Sequence, residues 1–137
     1  MSALEEIQAK RAARQETLAK QADEQKAIDF QALDDAEIKY GDGNITFVEL
    51  PFVESGTVTL VIARTPKPAE IARFRARVKP KRGGDPVDAT EASIELAAVC
   101  QVYPERERYD AIVEARPGIT TLLAKLCVDL SAGEAKK

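Results

Sequence analysis

Residues Ala92–Leu130, ASIELAAVCQVYPERERYDAIVEARPGITTLLAKLCVDL, decide the fold class. At their C-terminal end Ile119, Leu122, Leu123, Leu126, Cys127 and Leu130 fall at i, i+3, i+4, i+7, i+8 and i+11, an apolar stripe wide enough to fill a core. The corner Arg116-Pro117-Gly118 separates this helix from one carrying Tyr109, Ile112 and Val113, which starts after Pro104. Upstream, Asp88-Ala89-Thr90-Glu91 has the form of an N-cap with an acidic N3 residue, and the helix it opens runs to about Gln101. The connections Val102-Tyr103 and Arg116-Pro117-Gly118 are too short to separate these helices, so the three must pack on one another.

Toward the N-terminus the period changes. Ile45 and Phe47 alternate with more polar neighbours, and Thr57 to Ala63 places Val58, Leu60 and Ile62 on one strand face with Thr57, Thr59 and Val61 on the other. Pro51, Glu54, Ser55 and Gly56 supply the turn of an antiparallel hairpin over 44–64. A lone hairpin is marginally stable, so its apolar face is expected to lie on helices or to join a neighbour's sheet. Pro68 can open a helix over about 68–79 with Ile71, Phe74 and Val78 inward, and Pro80 ends it. Gly83-Gly84, inside Pro80–Pro86, marks a hinge.

Residues 1–40 read as a polar helical arm. Ser2-x-x-Glu5 is a capping box, and no Gly or Pro interrupts the first 40 positions. Leu4, Ile7, Leu18, Ile28 and Leu33 are too thin a series for a coiled-coil seam, with Arg11, Arg14, Gln21 and Gln25 breaking it. The expected fold is therefore α+β: a polar N-terminal helix, an antiparallel β-hairpin, then a compact bundle of about four helices (68–79, 88–101, 105–115 and 118–131). Residues 41–132 form the single domain and 133–137 a tail.

Composition excludes several chemistries. The chain has no histidine, which removes the commonest general base and zinc ligand and any Ser-His-Asp or Cys-His mechanism. Cys100 and Cys127, set among aliphatic residues, read as buried reduced thiols rather than a metal or redox pair. Gly41-Asp42-Gly43 and Gly83-Gly84 lack the strand-to-helix context of phosphate loops. No enzyme activity, cofactor or metal is expected. No apolar run approaches the ~20 residues that span a bilayer, and Met1–Glu6 lacks the pattern of a signal peptide, so the cytoplasm is the expected location. Residues 64–82 carry eight cations against Glu70 alone; with Phe74 as their one aromatic they read as a solvated helix face, or a docking surface for an acidic protein segment, before nucleic acid.

Four stretches occur in an order that resembles the tail assembly chaperones of long-tailed bacteriophages and related prophage or gene-transfer elements. They are Val58-Thr59-Leu60-Val61-Ile62-Ala63-Arg64-Thr65-Pro66, Glu70-Ile71-Ala72-Arg73-Phe74-Arg75, Leu96-Ala97-Ala98-Val99-Cys100-Gln101-Val102-Tyr103-Pro104 and Arg116-Pro117-Gly118-Ile119. The resemblance covers about residues 55–131. It implies a small cytoplasmic, non-catalytic protein that binds the tape measure protein, keeps its long helical and apolar segments soluble, and helps recruit tail tube subunits. Self-association is left open. The partner-binding residues expected are Arg64, Arg73 and Arg77 together with Val58, Leu60 and Ile62 of the hairpin. Two other readings stand beside it: a structural head-tail connector or other virion component, and a nucleic-acid-binding regulator using residues 64–82.

Overall fold

The computed structural model describes residues 2–50, 58–79 and 89–133. The expected hairpin turn at 51–57, the hinge Pro80–Pro86, the Asp88 cap and the tail from 134 lie outside the described residues.

Among the described residues the order is α1 (Ala3–Tyr40), β1 (Ile45–Glu49), β2 (Leu60–Arg64), α2 (Pro68–Val78), α3 (Thr90–Cys100), β3 (Gln101–Tyr103), α4 (Arg106–Ala115) and α5 (Gly118–Ser131). The fold is α+β, as the sequence pattern predicts. β1 and β2 form the expected antiparallel hairpin, with Phe47 opposite Ile62 and Glu49 opposite Leu60. One expectation needs correction. Gln101, Val102 and Tyr103 are not a helix end and a loop but a third strand, antiparallel to β2, so the sheet runs β1-β2-β3. Three residues are too few to show a two-residue period, and the polar Gln101 conceals the pairing.

β2 explains the layering. Leu60, Val61, Ile62 and Ala63 are all buried, because the central strand is covered on both faces. Val61 and Ala63 face the main core with Leu96, Ala97 and Cys100 of α3, Tyr109 and Ile112 of α4, and Leu123 and Cys127 of α5. Leu60 and Ile62 face the other way, where Ile45 and the α1 residues Leu33 and Ala36 close a second, smaller core. Val58 precedes the strand and joins the main core, so it does not share a face with Leu60 and Ile62 as expected. The molecule thus has three layers: α1, the sheet, and the α3–α5 group with α2 beside α3.

α1 is one uninterrupted helix of 38 residues, about 57 Å long at 1.5 Å per residue. The Ser2 hydroxyl caps it by accepting the Glu5 N–H at 3.1 Å. At the far end Gly41 takes φ +94°, a conformation natural to glycine, and donates its N–H to Glu37 at 2.8 Å. Residues 2–17 are all exposed, whereas the last third packs on the sheet through Asp29, Leu33 and Ala36 at i, i+4 and i+7.

Asp29 is the unexpected member of that stripe. Its neighbour Ile28, the apolar residue, points outward at 59% exposure, while the carboxylate of Asp29 is wholly buried. Four donors justify the burial. Tyr103 Oη donates at 2.6 Å, Thr59 N–H at 2.5 Å, Thr59 Oγ1 at 2.7 Å and Gln25 Nε2 at 2.8 Å. The two carboxylate oxygens have lone pairs enough to accept all four bonds. The result ties α1 to the β2 entry and to β3 at once. Tyr103 is correspondingly hard to ionise: burial, then its bond to Asp29, pushes it up to about 12.

Two outcomes follow for stability. Asp29→Ala leaves four part-buried donors without their acceptor and should cost about 3 kcal/mol in urea denaturation, with faster proteolysis of α1. Asp29→Leu should cost as much, showing that apolar replacement does not substitute; an unchanged midpoint would refute the anchor. Conversely, the Tyr109 hydroxyl is buried without a hydrogen-bond partner among the described residues. Tyr109→Phe should therefore be neutral or stabilising by up to ~1 kcal/mol.

Candidate functional site

The basic run of the sequence is largely woven into the fold. Arg64, at the end of β2, forms a two-pronged pair with Glu70 of α2, Nη1 to Oε1 at 2.9 Å and Nη2 to Oε2 at 3.0 Å. Its Nη2 also donates to the Val99 carbonyl of α3 at 3.1 Å. Glu70 in turn accepts the Lys67 N–H at 2.7 Å, capping α2. One guanidinium therefore joins three elements. Hydrogen bonding to Arg64 holds the Glu70 carboxyl below its ordinary 4.5, and the same bond raises Arg64.

Arg73 and Arg77, one turn apart on α2, both reach Glu95 of α3, Arg73 Nε at 2.7 Å; Arg77 also meets Glu91 at 3.4 Å. These contacts lie over a groove of about 220 Å³ floored by Phe74, Ala92, Leu96 and Val99. Arg73 remains 72% exposed. Exposed pairs of this kind add little stability, so Arg73 can be drawn to another carboxylate at small cost. Of the six residues expected to bind a partner, Arg73 and Arg77 thus share one surface. Arg64 is engaged within the fold, and Val58, Leu60 and Ile62 are buried at 1%, 1% and 0% exposure.

A second cleft lies where the sequence offered no signal. Val48, Glu49 and Leu50 at the end of β1 face the α4–α5 corner, Ala115 to Ile119, and Leu122 of α5. The cleft encloses about 560 Å³ and is mainly apolar. Among the described residues β1 is the outer strand of the sheet. Leu122, a member of the predicted core stripe, is instead 47% exposed at the mouth. The stripe of α5 is wider than the core it fills, and its surplus lines this cleft. Only the pairing of the corner Arg116-Pro117-Gly118 with a strand 67 residues earlier creates the site, which is why local sequence did not reveal it.

Cys100 and Cys127 are free thiols buried together in the main core. Their mutual hydrogen bond, then burial, pushes the Cys127 thiol up, so it stays protonated. Among the described residues no group of three or more Cys, Asp or Glu is placed to hold a metal ion. No helix among them is long and apolar enough to cross a membrane.

Comparison of the chain with protein-family models, with curated proteins and with solved structures finds no match in any of the three.

The Arg64–Glu70 pair gives a pH-dependent outcome. Because the folded carboxyl titrates below its unfolded value, its stabilisation is complete above the unfolded value and is lost as pH falls through the folded one. Glu70→Gln should lower stability by about 1 kcal/mol at neutral pH. In urea titrations its deficit against the wild type should vanish as the pH drops well below 4.5. A deficit independent of pH would show that the charge is not its source.

Proposed function

We propose that this chain is a non-catalytic tail assembly chaperone of a long-tailed bacteriophage or prophage, binding the tape measure protein and aiding assembly of the tail tube. The observation that carries the reading is the apolar cleft between the end of β1 and the α4–α5 corner, with Leu122 open at its mouth. A client with long apolar and helical segments needs a surface of this kind before its own assembly covers them. The four resembling stretches also fall on connected parts of the fold: β2 with the turn after it, α2, the α3–β3 junction, and the α4–α5 corner that forms the cleft wall. The exposed Arg73 and Arg77 over the α2–α3 groove offer a second contact, suited to carboxylates on the client.

A second reading is favoured by α1. A helix of 38 residues whose first turns pack on nothing else described suits a virion component, such as a head-tail connector, whose arm finds its seat on assembly. Mass spectrometry of purified particles separates the two, since a chaperone is absent from them and a connector is present.

Co-expression with the tape measure protein encoded nearby should yield a soluble complex that elutes as one species. Leu122→Asp, at an exposed position, should leave the circular dichroism and melting temperature unchanged and weaken the complex at least about tenfold, the scale of one lost apolar anchor. If no complex elutes and the client's solubility is unaffected, the chaperone reading fails.

A further inference from the structure

The ion pairs between α2 and α3 turn the groove beneath them into a slot with walls of opposite sign. Arg77 meets Glu91 and Glu95, and Arg73 meets Glu95, so the two helices run antiparallel, with guanidiniums along one rim and carboxylates along the other. Each rim pair is spaced i, i+4, about 6 Å along its helix axis. Between the rims the floor is apolar: Phe74, Ala92 and Leu96, with Val99 left 43% exposed. At one end Arg64 holds both Glu70 and the Val99 carbonyl, which fixes the distance between the walls there.

These walls decide what fits. The exposed pairs across the mouth contribute little stability, so they can be exchanged for equivalent pairs to another molecule at small cost. An occupant bearing only carboxylates satisfies Arg73 and Arg77 but sets its charge against Glu91 and Glu95, and one bearing only cations does the reverse. Matching both rims takes carboxylates on one side of an apolar anchor and cations on the other. A strand sends its side chains in two directions, whereas a helix sends them in three, down to the floor and out to both rims. Helical side chains four apart also recur at the same spacing as the rim pairs.

We infer that the α2–α3 groove docks a mixed-charge amphipathic helix of a partner protein. An apolar side chain of that helix sits on Phe74 and Val99, carboxylates four residues apart meet Arg73 and Arg77, and lysines or arginines four apart meet Glu91 and Glu95. Each ion pair across the mouth is exchanged for one to the partner, so the number of pairs is kept while the floor leaves water. The gain therefore comes from the apolar anchor, and the charges set orientation and the choice of partner. The inference rests on the reading of this chain as a binder of a partner protein, and it names the chemistry of a site separate from the Leu122 cleft.

The probe is a synthetic helix of about 18 residues, long enough to coil, with leucines on one face, glutamates four apart along one flank and lysines four apart along the other. Its binding is read by fluorescence anisotropy at about 50 mM salt, where surface charges are little screened. The wild type should bind it, and Val99→Asp and Arg73→Glu/Arg77→Glu should each weaken binding at least about tenfold with circular dichroism unchanged. The decisive arm is a swap: Arg73→Glu/Arg77→Glu should bind a probe with lysines along both flanks at least about tenfold tighter than the wild type does, which damage to α2 would not produce. Absence of probe binding, preference of the wild type for glutamates on both flanks, or an affinity untouched by both variants overturns the inference. So does loss of probe binding in Leu122→Asp, which would seat the probe in the other cleft, or a dimer that the groove variants dissolve, which would give the groove to a second copy. A tape measure complex that forms without any probe binding sinks this inference and spares the chaperone reading; probe binding with no such complex does the reverse.

Discussion

A single buried carboxylate holds the outer layer of this protein in place. The apolar contact between α1 and the sheet is small, with Leu33 and Ala36 its buried aliphatic members, and such a contact alone would fix neither the rotation nor the height of a long helix. Asp29 supplies both. Its acceptors are aimed at a backbone N–H and hydroxyl of Thr59 and at the Tyr103 hydroxyl, so a shift of one residue along α1 would strand all three donors in the interior. Burying a charge is unfavourable unless every lone pair is met, and here that requirement acts as a register mark.

From that mark the rest of the layering follows. Tyr103 can reach Asp29 only because β3 pairs with β2, and β3 is placed by α3, whose last residue Cys100 lies in the main core beside Cys127. Arg64 reinforces the same junction from the other end of β2, linking the α2 cap to the final turn of α3. The polar groups that matter thus sit at the seams between layers, while the interiors of the layers are aliphatic.

Much of this order was legible in the sequence, for reasons that differ by element. The helices from Pro68 onward were readable because their apolar residues recur at helical spacing and Pro or Gly punctuates them; the ends of α5 fall within a residue of expectation. The hairpin was readable from alternation. What stayed hidden depends on partners distant in the chain. Nothing local distinguishes Asp29 from its exposed neighbours Asp34 and Asp35, because its donors lie 30 and 74 residues away. β3 was hidden by its brevity, and the β1 cleft by being a product of tertiary assembly. The basic run was visible as composition, yet its division into Arg64 inside the fold and Arg73, Arg75 and Lys79 outside it required the positions of Glu70 and Glu95.

The span between Asp29 and Tyr103 has a consequence for how the molecule is made. α1 leaves the ribosome before the sheet and the helices behind it, and its propensities let it coil at once, but the hydroxyl that seats it is synthesised 74 residues after Asp29. Throughout that interval the arm is a formed helix with no place to dock. α1 is therefore translated before the sheet but seated after it, and a nascent chain paused before Tyr103 offers its acidic arm freely to whatever is nearby.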